Sequence, residues 1–314
     1  MAIGIILLLL VIVFLAGPRV AVDTNLQPVT LPADLDAYLA EQEARYNDIT
    51  PGAEKTIIWA GEPGQKTPLS IIYLHGFSAT RQETAPLSDN IAAELGANLY
   101  YTRFTGHGRS GEALAEATVN DWLNDTNEAL EIGRRLGDEL IVIGVSTGAT
   151  AATWLATQPN IDDVRAFVLM SPNYAPNDST AEILTWPWAE SIATALIGPE
   201  RSWEPSNEEH GRYWTHRYPT KALLPMMGLV KLTRSADPAG ITRPILMIYS
   251  PNDQVINPER VETTFEQIGS PQKELVPIQN GQDAGNHVLA GNILSPDDTD
   301  HIAQIILDFL HTLE

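Results

Sequence analysis

Three side chains, far apart in the chain, have the chemistry of a nucleophile, its base and an orienting acid. The nucleophile candidate lies in "IVIGVSTGAT", residues 141–150, where Ser146 stands between Gly144 and Gly148. The apolar run "ELIVIGVS" predicts a strand, and "TGATAATWLATQ" a helix. A serine on so tight a strand-to-helix turn sits in sparsely allowed backbone geometry, which small neighbours relieve. The turn lifts its hydroxyl above the sheet and aims the N–H groups of the helix start at it. The plainer reading is a serine that merely fills a Gly-rich turn. A hydroxyl is nearly inert at neutral pH, so the catalytic reading requires a base. His287, in the loop "DAGNHVLAG" after the strand-like "KELVPIQ", is placed at the carboxyl end of the last strand. His210, His216, His301 and His311 fall in an insertion or the last helix, where surface or capping roles are expected. Asp253 in "YSPNDQVI" ends another strand and would hold the tautomer of the base. "SPND" is also good material for an Asx turn, and Asp178 is the second candidate acid.

An acyl-transfer site also needs donors for a developing oxyanion. The N–H of Thr147, directly after the serine, is one candidate. The N–H of Phe77 is the other, in "IIYLHGFSAT", where Gly76 lets the chain turn inward. His75 in the same loop reads as a structural histidine bracing that turn.

These residues need a scaffold. "KTIIWAG", "LSIIYLHGF", "ANLYYTRF", "ELIVIGVS", "RAFVLMSP", "PILMIYSP" and "KELVPIQ" read as strands bounded by Gly, Pro or polar residues. Helical patterns near 86–95, 122–136, 147–158, 257–268 and 298–312 alternate with them. That alternation predicts an α/β fold with a mostly parallel sheet, buried on both faces. From 173 to 243 no buried strand is expected, yet four of the seven tryptophans are there: Trp186, Trp188, Trp203 and Trp214. So long a stretch does not stay structureless in a compact domain, and it reads as an inserted helical lid. "ALLPMMGLV" within it would wall an apolar pocket. The expected division is 1–20, a connecting segment 21–54 with a short helix, core 55–172, lid 173–243 and core 244–314.

Composition narrows the partners. Nineteen Lys and Arg stand against 40 Asp and Glu, a net charge of −21, which repels phosphate backbones and argues against nucleic acid. The absence of cysteine removes disulfides, thiolate catalysis and Cys-type zinc sites. No metal or organic cofactor is called for. "MAIGIILLLLVIVFLAG" is a run of seventeen uncharged residues, roughly 25 Å as a helix against a hydrocarbon core of about 30 Å. No basic residue precedes it and its cleavage site is poor, so a single N-terminal membrane anchor is expected, in a bacterial inner membrane, with a cleaved signal and a secreted or periplasmic protein as the alternative. Which side of the membrane the domain faces, and its oligomeric state, are open.

"LHGFSA", "RFTGHGRSG" followed by "VNDWLND", and "GVSTG" together resemble the α/β-hydrolase superfamily. Within it they are similar to the monoacylglycerol lipase, lysophospholipase and carboxylesterase branch. The likeness covers roughly 55–172 and 244–314. It implies Ser146 as nucleophile, Asp253 as acid, His287 as base, Phe77 and Thr147 as oxyanion donors, and a cap after "RAFVLMS". It also implies that Gly106-His107-Gly108 shapes the sheet edge without doing proton chemistry. The expected reaction is hydrolysis of a lipid-like or shorter acyl ester through an acyl-enzyme. A peptidase, an acyltransferase or a C–C hydrolase could use the same three residues, and a non-catalytic receptor could use the same fold. Ser146 argues against the epoxide hydrolases and haloalkane dehalogenases, which carry aspartate there.

Overall fold

The computed structural model describes residues 2–313; Met1, the first residue of the expected anchor, lies outside them. The central sheet has seven strands: β1 (Thr56–Ile58), β2 (Thr67–Leu74), β3 (Asn98–Tyr101), β4 (Gly137–Val145), β5 (Val164–Met170), β8 (Ile245–Tyr249) and β9 (Lys273–Pro277). Their order is β1-β3-β2-β4-β5-β8-β9, with β1 antiparallel to β3 and every other pair parallel. Two further strands, β6 (Glu200–Ser202) and β7 (Arg217–Pro219), form a separate antiparallel ribbon.

The strands alternate strictly between two apolar layers. Ile71, Tyr73, Ile141, Ile143, Val168 and Ile248 pack on one face, where α3 (Leu87–Leu95) and α11 (Thr299–His311) lie. Ile72, Leu74, Val142, Phe167, Leu169 and Met247 pack on the other, beneath α5 (Val119–Leu136), α6 (Thr147–Ala156) and α10 (Pro258–Gln267). A period of two with both sets apolar explains the near-continuous hydrophobic runs in the sequence. Each fully buried Ile or Leu contributes about 2 kcal/mol. α5 starts at a capping box in which Thr118 and Asp121 satisfy each other's backbone N–H, and it ends against the start of β4. The connecting segment supplies α2 (Leu35–Glu43), which the core holds through a bidentate pair: the Arg103 guanidinium donates to both Glu43 carboxylate oxygens, each at 2.8 Å. The same guanidinium donates to the His107 carbonyl at 3.1 Å and so ties this segment to the Gly106–Gly108 loop.

Residues 173–243 hold α7 (Ala189–Ile197), the β6–β7 ribbon, α8 (Glu208–Tyr213), α9 (Leu223–Ser235) and short 3-10 turns. The ribbon was not expected. Its strands are three residues each and β6 is fully exposed, so no apolar alternation marks them in the sequence. One more short helix, α4 (Gly111–Leu114), precedes α5.

The expectation of a membrane anchor, and with it the expected localisation, is overturned. α1 (Ala2–Leu15) has 14 residues, about 21 Å, and no helix among the described residues is long and apolar enough to cross a membrane. Gly17 and Pro18 stop it. Its last turn is tied instead to the 173–243 segment, where the Trp188 indole N–H donates to the Val13 carbonyl at 3.2 Å and Trp186 packs edge-on to Phe14.

Candidate active site

Ser146 occupies the corner between β4 and α6 with φ 52° and ψ −116°, a conformation that costs a non-glycine residue about 1–3 kcal/mol. The flanking glycines make the corner possible. A Cβ on Gly144 would meet the Ala149 backbone nitrogen at 2.8 Å, and one on Gly148 would meet the Leu74 carbonyl oxygen at 2.0 Å. Both residues are thus demanded by close backbone approach between the turn, its own helix and β2. The Ser146 N–H donates to the Met170 carbonyl at the end of β5, and the Asn173 N–H donates to the Ser146 carbonyl.

His287 brings the other two candidates to this corner. Its Nε2 lies 3.0 Å from Ser146 Oγ and its Nδ1 lies 2.7 Å from Asp253 Oδ2. With the carboxylate accepting from Nδ1–H, Nε2 is left to accept the serine proton. Asp253 is buried, and its Oδ1 accepts the Val255 and Ile256 N–H groups at 2.7 and 3.0 Å, so the turn-forming use of "SPND" and the orienting use coexist. Burial pushes the His287 pKa down. The Asp253 carboxylate, helped by Asp283, outweighs that and holds it above the ordinary imidazole value. Asp178 stands elsewhere: exposed, it accepts the Thr180 N–H at the start of a 3-10 turn.

The histidine loop has supports that the sequence reading missed. Asp283 Oδ2 accepts the N–H groups of His287 (2.9 Å) and Val288 (3.1 Å), and Oδ1 accepts that of Gly285. The Ser171 hydroxyl donates to the His287 carbonyl at 2.6 Å from a backbone at φ 44°. The "QDAG" stretch carried an Asx-turn signal that could have pointed to Asp283. Nothing local marked Ser171.

Phe77 and Thr147 flank the serine, one after β2 and one opening α6. Among the described residues neither backbone N–H has an acceptor in the chain. A Cβ on Gly76 would lie 3.3 Å from Ser146 Cβ, so the Phe77 loop and the serine are in contact. The Phe77 ring meets Tyr218, His107 and Trp122 edge-on, with centroids 5.5, 5.9 and 6.2 Å away. His75 is fully buried and bridges two backbone groups. Its Nδ1 donates to the Gly76 carbonyl at 2.9 Å and its Nε2 accepts the Phe104 N–H at 3.0 Å. Burial lowers its pKa to about 4, which keeps the ring neutral in that brace.

The 173–243 segment touches these loops. The Thr215 N–H donates to the Ser78 carbonyl at 2.7 Å, and Trp214 packs with Ala79 and Val288. Met226 of α9 lies with its sulfur 3.3 Å from Asn173 Nδ2, next to the serine turn. No group of three or more His, Asp or Glu side chains suited to a metal ion occurs among the described residues.

Comparison with known proteins gives this geometry a context. Residues 65–282 match the family model described as "Serine aminopeptidase, S33", a span holding Ser146 and Asp253 and ending just before His287. The chain is 26% identical over 230 residues to the thermostable monoacylglycerol lipase of Bacillus sp. (strain H-257), covering 71% of this chain and 87% of that one. Among solved structures it is similar to a metagenome-derived lipolytic enzyme, with TM-score 0.69, 22% identity and coverage of 84% and 99% of the two chains. It is also similar to the monoglyceride lipase of Saccharomyces cerevisiae, with TM-score 0.62, 15% identity and coverage of 83% and 92%. The chain belongs to the family of that model, serine aminopeptidase S33, and has the α/β-hydrolase fold.

Proposed function

We propose that this carboxylic ester hydrolase works through Ser146 as nucleophile, His287 as general base and acid, and Asp253 as the acid that orients the imidazole. The single observation that carries the reading is the hydrogen-bonded line from Asp253 Oδ2 through both His287 nitrogens to Ser146 Oγ, at 2.7 and 3.0 Å. In the first half-reaction Ser146 Oγ attacks the ester carbonyl carbon while its proton passes to His287 Nε2. The carbonyl oxygen takes the negative charge, and the unengaged N–H groups of Phe77 and Thr147 stabilise it. Collapse expels the alcohol, which leaves with the proton from Nε2. Water then attacks the acyl-enzyme, giving its proton to Nε2, and the carboxylic acid departs as Ser146 is restored. Asp253 stays ionised and offsets the imidazolium charge in both steps. These steps use only the chain's own groups.

The substrate is an ester of a lipid-like or medium-length acyl chain, and residues 173–243 form a cap over the acyl pocket. Supporting this, Met226 lies beside the serine turn, and Trp214 packs on both the Phe77 and His287 loops. The Bacillus relative, a monoacylglycerol lipase, points the same way.

The test is hydrolysis of p-nitrophenyl esters from acetate to palmitate, with Ser146→Ala alongside and an aminoacyl p-nitroanilide as a peptidase control. The reading expects ester turnover that the substitution lowers by roughly 10⁴ to 10⁶-fold. Turnover of the anilide alone would transfer the same residues to peptide hydrolysis.

A further inference from the structure

Resting on that reading of the oxyanion site, we infer that Glu83 is a positioning residue, holding the Gly76–Phe77 loop so that the Phe77 N–H faces the carbonyl oxygen attacked by Ser146. Glu83 lies in the 3-10 turn Arg81–Glu83 and is only 2% exposed. Its Oε1 accepts two donors from the end of β2, the Gly76 N–H at 2.6 Å and the Tyr73 O–H at 2.9 Å. Tyr73, itself fully buried, accepts in turn from the Thr84 hydroxyl at 2.7 Å, which fixes its phenol in place.

The position is what distinguishes it. Gly76 is clamped between Glu83 and the serine: a Cβ there would sit 2.8 Å from Glu83 Oε2 and 3.3 Å from Ser146 Cβ. Glu83 orients the peptide that precedes Gly76. The peptide that follows is held by its carbonyl, which accepts from His75 Nδ1–H and from the Ala79 N–H at 3.3 Å. A trans peptide directs its N–H opposite its C=O. With that carbonyl engaged inside the loop, the Phe77 N–H is directed the other way and meets no acceptor among the described residues. Glu83's own segment also reaches the loop of the base, where the Asn292 N–H donates to the Ala85 carbonyl at 2.9 Å. One short turn therefore indexes both loops.

The groups facing the carboxyl are Tyr73 and, at longer range, His287. Burial pushes the Glu83 pKa up to about 8, so at pH 7 the side chain is mainly the neutral acid. Glutamine is then its close mimic, keeping an acceptor oxygen of the same shape.

The test uses the full chain at pH 7 with p-nitrophenyl butyrate. Glu83→Ala should lower kcat by about 100-fold with KM within a factor of two, the pattern of an interaction realised in the transition state. Glu83→Gln should restore kcat to within about threefold of the parent, and Tyr73→Phe should fall between them. Binding of butylboronic acid, whose tetrahedral serine adduct places an oxygen in the oxyanion site, should weaken in Glu83→Ala in step with kcat. A purely structural role would lower the melting temperature of Glu83→Ala and leave kcat and boronate affinity near the parent's, which would overturn the inference. Equal losses in Glu83→Gln and Glu83→Ala, both folded by circular dichroism, would overturn it too. If Glu83→Ala does not fold, the contrast between Tyr73→Phe and Glu83→Gln decides in the same way. A parent protein inert toward every ester, and indifferent to Ser146→Ala and to the boronate, would remove the underlying reading as well. Ester turnover that needs Ser146 but ignores Glu83 would remove this inference alone.

Discussion

The loops at the carboxyl ends of β2, β4, β5, β8 and β9 and the 173–243 segment meet over Ser146, yet they are built by different means. In the loops the backbone itself is constrained. Ser78, Ser146, Ser171 and Asn286 all adopt positive φ without being glycine, and each stands within one residue of a group at the site or belongs to it. Short side chains then lock that backbone: Asp253, Asp283 and Glu83 each accept two or more donors. The 173–243 segment joins the loops by backbone bonds at Asn173, Ala175, Asn177 and Thr215, and elsewhere it packs on them through large side chains such as Trp214 and Met226, leaving Trp186 48% exposed. Chemistry that needs reacting atoms fixed within a fraction of an ångström is carried by strained, hydrogen-bonded backbone. Surface that needs only the right shape can be made from side chains on a separate segment.

The contrast is broken most severely by removing the orienting acid. Asp253→Asn should lower kcat by about 10⁴-fold with the fold intact, because an amide in that place favours the wrong imidazole tautomer. A loss below tenfold in steady-state kinetics would mean that the line of hydrogen bonds is not the working arrangement. Ser171→Ala touches no reacting atom but frees the His287 carbonyl, and should cost about tenfold in kcat with little change in KM. Trp214→Ala tests the other side. Its expected effect is a change of several-fold in the ratio of kcat/KM between long and short acyl esters, with kcat on p-nitrophenyl acetate within about threefold of the parent. A uniform collapse on all chain lengths would place Trp214 with the loops rather than with the specificity surface.

The smallest effect is a shift in pH dependence. Imidazolium cannot take the serine proton, so kcat/KM should fall as pH drops through the His287 pKa, which the neighbouring carboxylates hold above the ordinary value of about 6.5. Asp283→Asn removes one of those charges and should move the acid limb to lower pH. An unmoved limb would show that Asp253 alone sets the titration.

Much of this was legible in the chain. The nucleophile turn could be read because a serine between Gly144 and Gly148, after a β-branched run, satisfies a local steric demand. The parallel sheet could be read because strands buried on both faces must be apolar throughout. The supports of the site could not. Ser171 acts on a carbonyl 116 residues away and Glu83 on donors at the end of β2, and neither residue type says which of them it will meet; Asp283, whose acceptances lie two to five residues on, is the exception, marked only by a local turn signal. The N-terminal run misled for a related reason. Apolar composition continued to Gly17, but the helix ends at Leu15 and its last turn is engaged by Trp186 and Trp188, contacts that no hydropathy window contains.

By itself, then, the sequence determined the α/β class, the strand and helix alternation, and the three residues able to supply nucleophile, base and acid. These rest on short-range rules: the period of burial, the steric limits on φ, and the order of residue types along the chain. Only the tertiary structure decided that Ser146, His287 and Asp253 lie within hydrogen-bonding distance, that a two-stranded ribbon sits inside the 173–243 segment, and that the first helix is too short to span a bilayer. Those outcomes depend on packing between segments remote in sequence, where long-range hydrogen bonds and side-chain volume, rather than local propensity, set the result.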